Sequence, residues 1–361
     1  FPIPNGVSYN SYFIDDEKTC VVDSVDAEIR EEYFDNLSHL LNGRDLDYII
    51  VNHMEPDHCQ TLLETLERYP NCKMVGNATT FRMFEQFYRT PKPDQYYTVK
   101  EGDEICLGKH TLVSYTMPMV HWPEVIMTYD SYAKVFFSAD AFGKFGALDV
   151  EEDWACEARR YYFGIVGKYG AQVQALLKKA AGLDIQTICP LHGPVLNENL
   201  DFYLNLYQTW SAYEPEDKGV LIAYTSVYGN TKKAAELLAQ MLVDKGCEKV
   251  AITDLARDDI AEAVEDAFRY DRLVLATTTY NGDVFPFMRE FIESLTERNY
   301  QKRTIGLIEN GSWAATAAKV MRQLFEKSKE IAFTETTVKI MSALNEESTT
   351  QLENLAEELC K

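Results

Sequence analysis

His53-Met54-Glu55-Pro56-Asp57-His58 concentrates two imidazoles and two carboxylates in six consecutive residues. The stretch follows residues 48–51, Tyr-Ile-Ile-Val, whose β-branched and aromatic composition predicts a short buried strand. A loop that leaves a strand end can turn alternate side chains toward one point, and four such groups are costly to bury unless a cation neutralises them. The stretch therefore predicts a metal site at a strand end.

Three further candidate ligands, His121, Asp140 and His192, each follow an apolar run, where a rigid element can position them. Four imidazoles and three carboxylates are enough for two ions with three terminal ligands each and one bridging carboxylate. Three negative charges leave two divalent ions under-neutralised, so positions stay open for chemistry. His39 and His110 lie in a helix-like stretch and at a turn, and we interpret them as structural. The predicted metal ligands are His53, Glu55, Asp57, His58, His121, Asp140 and His192.

Composition restricts the class of protein. The chain has 361 residues, more than one hydrophobic core usually supports, so two domains are expected. Lys and Arg total 35 against 57 Asp and Glu, and the net charge of −22 would repel nucleic acid and anionic membranes. This acidity serves solubility or, alternatively, attracts a basic docking partner.

The sequence also indicates the cellular compartment. No apolar run reaches the length of a membrane span and no signal-peptide pattern opens the chain, so we expect a cytoplasmic protein. The eight cysteines form no Cys-x-x-Cys pair, and we expect them to be mostly buried thiols.

Two kinds of strand pattern divide the chain. Residues 9–196 alternate short β-rich runs with helical stretches and change to consecutive strands between residues 106 and 140, which predicts sheets with outer helical layers. Residues 213–219 are polar and contain Pro and Gly, so they predict a linker. The expected domains are residues 1–214 and residues 219–361.

The second domain carries near-continuous apolar strands with helices between them, a pattern typical of a parallel doubly wound sheet, and its size suits five strands. The predicted strands are residues 220–224, 249–252, 272–276 and 304–308.

A phosphate cradle is predicted where the first of these strands meets a helix that begins near Lys232. Hydroxyl groups, an amide and backbone N–H groups at a helix N-terminus can surround a phosphate without a buried cation. The alternative is an ordinary turn with Thr231 as the N-cap. Two later strand ends are expected at the same edge of the sheet. The predicted cofactor residues are Thr225, Ser226, Val227, Tyr228, Gly229, Asn230, Thr231, Thr278, Thr279, Tyr280, Asn281, Gly282, Asn310, Gly311, Ser312 and Trp313.

These three loops resemble those of a flavodoxin, which implies FMN as the cofactor. Tyr280 and Trp313 are best placed to pack beside its isoalloxazine ring, with Tyr228 as a weaker candidate for which core packing is the alternative.

The first domain resembles the metallo-β-lactamase-like αββα domain of flavodiiron proteins. The resemblance rests on His-x-Glu-x-Asp-His, followed by His 63 residues after His58, Asp 19 residues later and His 52 residues beyond that. It implies that His53, Glu55 and His121 hold one iron, that Asp57, His58 and His192 hold the other, and that Asp140 bridges them. Some family members leave the position of His58 unligated. Hydrolases of this fold commonly carry a histidine where this chain has Glu55, and a harder oxygen ligand favours iron over zinc.

The two resemblances together cover essentially the whole chain. They imply an oxidoreductase with FMN and two iron ions that reduces dioxygen to water, nitric oxide to nitrous oxide, or both. Reduced flavin and a diferrous pair store two electrons each, which matches the four that dioxygen needs. No Cys-x-x-Cys segment follows the second domain, so we expect an external electron donor such as rubredoxin or a flavin reductase. The family also implies a head-to-tail homodimer, or a dimer of dimers, that brings one subunit's flavin beside the other's irons.

Two other functions compete with this interpretation. The first is a zinc hydrolase fused to a flavodoxin, against which Glu55 argues. The second is an electron carrier whose first domain is only a scaffold, against which the complete ligand set argues. The choice between dioxygen and nitric oxide is expected to depend on groups outside the ligand set, with Trp122 and Tyr132 as candidates.

Overall fold

The computed structural model describes residues 2–361, which form two compact units, Ile3–Gln208 and a second that contains Thr209–Lys361. The boundary between the units falls inside a helix, Leu200–Ser211. Within the described residues, no helix is both long and apolar enough to cross a membrane.

Two five-stranded sheets form the centre of the first unit. The first sheet has the order β1-β2-β3-β4-β5, with β1 antiparallel to β2 and the remaining pairs parallel. Its strands are β1 (Tyr12–Ile14), β2 (Cys20–Val22), β3 (Tyr48–Ile50), β4 (Lys73–Gly76) and β5 (Tyr96–Thr98).

The second sheet has the order β10-β9-β8-β7-β6, antiparallel except for the pair β9 and β10. Its strands are β6 (Glu104–Cys106), β7 (Thr111–Thr116), β8 (Ile126–Asp130), β9 (Val135–Phe137) and β10 (Thr187–Cys189).

Helices cover the outer faces of these sheets. The helices are α1 (Arg30–Leu41), α2 (Pro56–Cys59), α3 (Leu62–Arg68), α4 (Ala78–Tyr88), α5 (Trp154–Ile165), α6 (Gly170–Ala180) and α7 (Leu200–Ser211), with short 3-10 helices at Ala27–Ile29, Pro93–Gln95 and Gly167–Tyr169. Strand alternation separates two cores: Val21 and Ile49 pack with α1, α3 and α4, whereas Val22 and Ile50 pack against the second sheet. On the far side, α6 and α7 lie beside Ile188 of β10. The predicted αββα sandwich is confirmed.

The second unit is the predicted doubly wound sheet. Five parallel strands have the order β12-β11-β13-β15-β16, and the short β14 pairs antiparallel with β13. The strands are β11 (Asp217–Tyr224), β12 (Val250–Asp254), β13 (Tyr270–Tyr280), β14 (Asp283–Val284), β15 (Arg303–Asn310) and β16 (Ile331–Ile340). The helices are α8 (Asn230–Asp244), α9 (Ile260–Arg269), α10 (Pro286–Glu297), α11 (Ala317–Leu324) and α12 (Glu346–Leu359). The helices α8 and α12 share one core with the sheet, while α10 contacts both α9 and α11.

Several boundaries differ from the sequence-based prediction. The linker expected at residues 213–219 is partly wrong, because β11 begins at Asp217, whose carboxylate pairs with Lys249 and Arg269. The segment after β3 forms two short helices, since α2 ends at Cys59 and α3 begins at Leu62. Pro56 stands in the first turn of α2, a position that needs no N–H, and so starts a helix that the polar composition of the stretch had hidden.

A buried arginine joins the strand ends on one side of the second unit. The side chain of Arg303 is almost fully buried at the start of β15. Its guanidinium donates to five backbone carbonyls, those of Tyr213, Phe268, Tyr270, Gln301 and Lys302. These bonds connect the end of α9 and the starts of β13 and β15.

We expect Arg303→Met to destabilise the second unit by about 3 kcal/mol or more, because buried carbonyls lose a charged donor and gain no water. Hydrogen–deuterium exchange of the peptides that contain β13 and β15 measures the loss. Arg257→Met is the control, since Arg257 is largely exposed and its ion pair with Asp254 is worth at most about 1 kcal/mol. Equal exchange in the two variants would contradict the role of Arg303.

Candidate metal centre and cofactor site

The seven predicted metal ligands all come together at the strand ends of the first unit. His53 and Glu55 follow β3, and Asp57 and His58 stand on α2, a helix rather than the expected loop. His121 lies between β7 and β8, Asp140 follows β9, and His192 follows β10. The ligand atoms fall into two groups, each with all atoms within 4.8 Å of one another: His53, Glu55, His121 and Asp140 in the first, and Asp57, His58 and His192 in the second.

In the first group the nitrogen and oxygen atoms surround a common point. Nε2 of His121 lies 2.9 Å from Oε2 of Glu55, 3.0 Å from Oδ2 of Asp140 and 3.2 Å from Nε2 of His53. Nε2 of His53 lies 3.4 Å from the same Asp140 oxygen. Ligands about 2.0–2.1 Å from one ion stand roughly 3.0–3.4 Å apart at octahedral to tetrahedral angles. The separations fit one metal ion.

The second group faces the other oxygen of Asp140. Oδ1 of Asp140 lies 3.1 Å from Nε2 of His58 and 3.8 Å from Nε2 of His192. Oδ2 of Asp57 lies 3.4 Å from Nε2 of His58 and 3.3 Å from Nε2 of His192. Asp140 thus presents one oxygen to each group, which is the arrangement of a bridging carboxylate.

Several of these atoms are close together yet unbonded. Within residues 2–361, Nε2 of His58, Oδ1 of Asp140 and Oδ1 of Asp57 are buried and make no hydrogen bond. Nε2 of His58 and Oδ1 of Asp140 are 3.1 Å apart, so the missing hydrogen bond between them reflects the angle rather than the distance. Each such buried atom costs about 1–3 kcal/mol, and more when charged. The residues therefore fit a pair of bound cations.

The electrostatics of the centre favour positive charge. Burial opposes the ionisation of Asp140, but the imidazoles of His58 and His53 hold the pKa of its carboxyl well below its usual range. Against the same opposing effect of burial, His121 and His53 lower the pKa of Glu55 to about 2. Both carboxylates therefore stay ionised at neutral pH. Burial lowers the pKa of His58, which favours the neutral imidazole that a metal ligand requires.

Residues around the ligands were not found from the sequence. Glu124 accepts a hydrogen bond from Nδ1 of His53 at 2.8 Å, and the backbone oxygen of Ser8 accepts one from Nδ1 of His192 at 2.7 Å. Asp23 is buried and accepts the backbone N–H groups of Asn52 and His53. These residues are distant in sequence from the ligands they support, so no local pattern indicates them.

The two aromatic residues expected near the metals differ in position. The ring of Trp122 meets those of His53 and His121 edge to face, at centroid distances of 5.2 and 6.1 Å. Tyr132 is instead exposed and packs against His110, which bonds to Asp130. The prediction that Tyr132 lies beside the metal ligands is therefore wrong, whereas Trp122 does lie beside them.

A cavity of about 800 Å³ opens in the second unit at the carboxyl ends of the parallel strands. All predicted cofactor residues except Thr225 and Gly229 line it. Thr225 is instead buried, with its hydroxyl 2.6 Å from that of Thr277. Gly229 is the N-cap of α8 with φ of +90°, so the alternative of Thr231 as the N-cap is wrong. The residues lining the cavity that the sequence analysis missed are Phe285, Ala314, Thr316 and Ser342.

Aromatic side chains stand unusually exposed around this cavity. Trp313 is 89% exposed, Tyr228 is 92% exposed and Tyr280 is 47% exposed. The core-packing alternative for Tyr228 is therefore wrong. Large exposed aromatic surfaces beside a polar cavity fit a planar ligand that covers them.

Asn310 joins three segments of the cavity wall. Its Nδ2 donates to the backbone oxygen of Ser342 at 3.2 Å and lies 3.4 Å from the hydroxyl of Thr231, in the first turn of α8. Its Oδ1 accepts the backbone N–H of Ser342, which has φ of +72°. The hydroxyls of Ser312 and Ser342 lie 2.9 Å apart. The end of β16 is thus held against the expected phosphate end of the cavity.

Comparison with known proteins assigns both units. Residues 7–193 match the family model described as ODP family beta lactamase, and residues 221–350 match that of a flavodoxin domain. An anaerobic nitric oxide reductase flavorubredoxin of Escherichia coli O1:K1 / APEC is 28% identical over 323 residues, which are 86% of this chain and 67% of that protein. An uncharacterized protein of Methanocaldococcus jannaschii is 29% identical over 330 residues, 90% of this chain and 83% of that protein.

Solved structures agree on the fold. Rubredoxin oxygen:oxidoreductase from Desulfovibrio gigas superposes with a TM-score of 0.91 at 24% identity, covering 99% of this chain and 91% of that one. A mutant flavo di-iron protein from Thermotoga maritima gives 0.87 at 23% identity, covering 99% and 90%. With the flavodoxin match and the paired ligand groups, the expected cofactors are supported: FMN in the second unit and two metal ions in the first.

We expect Asn310→Ala to weaken FMN binding by about 10-fold while changing riboflavin binding by less than about 3-fold, because Asn310 contacts Thr231 at the phosphate end. Fluorescence titration of the flavin-free protein measures both affinities. Asn345→Ala is the matched control, since that asparagine caps α12 and does not line the cavity. An equal loss for both flavins would mean that Asn310 only stabilises the fold.

Proposed function

The chain belongs to the ODP family of beta lactamases, and we propose that it is a flavodiiron oxidoreductase that reduces dioxygen to water, nitric oxide to nitrous oxide, or both. Electrons reach the metal centre through FMN from an external donor such as rubredoxin or a flavin reductase. The observation that carries the proposal is Asp140, whose two oxygens each face a separate group of ligands. Relatives named as a nitric oxide reductase and an oxygen oxidoreductase support the same class.

Each position of the centre has the same kinds of ligand. We assign His53, Glu55 and His121 to one iron and Asp57, His58 and His192 to the other, with Asp140 shared. Two imidazoles and one carboxylate per position, plus the shared oxygen, favour a metal that accepts mixed nitrogen and oxygen ligands. When bound, the irons supply gas binding and two stored electrons, and the flavin supplies two more.

The exposure of the ligands indicates the side from which a gas arrives. The side chains of His53, His58 and Asp140 are at most 2% exposed, whereas those of Glu55 and Asp57 are 36% and 25% exposed. The Glu55 and Asp57 side of the centre is therefore open, and the histidine side is closed by protein. The edge-to-face contact of Trp122 with His53 and His121 keeps water from these two rings.

We expect the anaerobically purified protein to contain two irons and one FMN per chain, and its reduced form to be reoxidised rapidly by dioxygen, by nitric oxide, or by both. Asp140→Ala should lose at least one iron per chain and slow gas reduction by about 100-fold or more, while FMN content stays unchanged, because the variant removes a ligand common to both positions. Metal analysis and stopped-flow reoxidation measure these effects.

The matched control for this experiment is His39→Ala, which removes an exposed histidine of α1 and should keep metals and turnover. Zinc in place of iron, together with a reduced flavin that neither gas reoxidises, would refute the proposal and favour a hydrolase.

We also propose a head-to-tail homodimer in which one subunit's flavin serves the other's metals. Asp140→Ala should have an incomplete metal centre, and Ser226→Glu should lose FMN, since a carboxylate at the expected phosphate site repels the cofactor. Each variant alone should be inactive, and co-expressed chains should recover about a quarter of wild-type turnover, because half the dimers are mixed and each of these has one complete pair of sites. Mixed dimers that form but show no turnover would contradict the arrangement.

A further inference from the structure

The two metal positions have the same ligand types but different surroundings. Each comprises two imidazoles, one carboxylate of its own and one oxygen of Asp140. A difference in affinity between the positions must therefore come from groups beyond the ligands. The hydrogen bonds made by the second ring nitrogen of each histidine provide such a difference.

Three of these histidines can be ranked by the partner of Nδ1. That of His53 donates to a carboxylate oxygen of Glu124 at 2.8 Å, and that of His192 donates to the backbone oxygen of Ser8 at 2.7 Å. Nδ1 of His58 is buried and, among residues 2–361, has no hydrogen-bond partner. The support that each imidazole receives therefore decreases from His53, with a carboxylate acceptor, through His192, with a carbonyl acceptor, to His58, with none.

The acceptor on Nδ1 affects how strongly Nε2 of the same ring binds a metal ion. An acceptor on Nδ1 fixes the tautomer in which Nε2 carries the free lone pair, and it holds the ring in place. A carboxylate also raises the basicity of the imidazole more than a carbonyl does, so its metal bond strengthens. Without an acceptor, His58 gains neither effect.

The surroundings of Glu124 hold its carboxylate against Nδ1 of His53. It is fully buried in the loop that precedes β8 of the second sheet, whereas His53 follows β3 of the first sheet. The same oxygen, Oε1, also accepts the backbone N–H of Met54 at 2.8 Å. The main chain at Glu124 accepts the amide of Asn77, the residue that caps α4. A buried carboxylate is costly, and this one is placed with its oxygen on the ring of a single ligand.

We propose that Glu124 is a positioning residue that makes the His53–Glu55–His121 position the tighter of the two, so that the Asp57–His58–His192 position releases its ion first. The proposal rests on the ligand set assigned under the proposed function. It adds Glu124 as a residue that supports a ligand, and it states which of the two positions releases its ion first.

The test uses the protein loaded with two irons and dialysed anaerobically against increasing concentrations of EDTA, with metal counted by mass spectrometry. Wild type should lose one ion first and then hold a plateau of one per chain. Anomalous scattering from crystals at the plateau should place the remaining ion beside His53 and Glu55. Loss of both ions at one chelator concentration, or a remaining ion beside His58, would overturn the proposal.

Substitution of Glu124 isolates its contribution. Glu124→Gln keeps the shape and an oxygen acceptor but removes the charge, and Glu124→Ala removes both. The affinity of the tighter position should fall by about 10-fold in Glu124→Gln and by up to about 100-fold in Glu124→Ala. The range of EDTA concentration over which one ion per chain remains should therefore narrow or disappear. The midpoint potential of the iron pair should rise in both, because a negative charge that favours the oxidised state is lost. A plateau and a potential unchanged from wild type would refute the role of Glu124.

Asp23→Asn is the matched control, because Asp23 also binds backbone N–H groups of this loop, those of Asn52 and His53, without touching the ring. It should lower the melting temperature and leave the plateau intact. An equal collapse of the plateau in Asp23→Asn would mean that loop stability alone sets the order, which overturns the proposal. Wild-type protein that never binds two ions would instead contradict the proposed function itself.

Discussion

The buried carboxylate of Asp140 is the constraint on which the first unit depends. It is 1% exposed, ionised, and faced by imidazoles on both sides. A lone charge in such a position would cost several kcal/mol, so the surrounding strands must deliver compensating groups to within bonding distance. The αββα sandwich does this because β3, β9 and β10 end at the same edge, and each end supplies a ligand. The fold is therefore a means of bringing ligands distant in sequence to one carboxylate.

The second unit handles charge in the opposite way. Its cavity is lined by hydroxyls, amides and backbone groups, with no Lys or Arg among its lining residues. The N-terminus of α8, whose N–H groups and dipole supply partial positive charge, is the expected place for an anionic phosphate. Gly229 permits the left-handed turn before that helix with no side chain in the way. The first unit thus offers buried carboxylates that suit cations, and the second unit offers neutral dipoles that suit an anion.

This contrast explains how much the sequence could predict. Charged candidate ligands leave a local pattern, so the clustering of His53 to His58 with the three later candidates could be predicted from residue type and position after apolar runs. The parallel doubly wound architecture of the second unit, though not its strand order, followed from continuous apolar strands and intervening helices. Glu124, Ser8 and Ser342 were missed because their roles depend on contacts across sheets or between loops. Tyr132 was misplaced for the same reason: it is near a ligand-bearing strand in sequence, yet its ring packs on His110.

Under the proposed function, the geometry also limits how the centre would choose between dioxygen and nitric oxide. Dioxygen and nitric oxide are both small, neutral and diatomic, and apolar pockets distinguish even a methylene group by only about 1–3 kcal/mol. Shape at the open Glu55 and Asp57 side is therefore a weak source of preference. The electronic character of the two metal positions is a stronger one, because it governs how electrons are shared with the bound gas. Since the ligands of the two positions are of the same kinds, we infer that this character is set by the groups behind them, among which Glu124 accepts a hydrogen bond from the ring of His53.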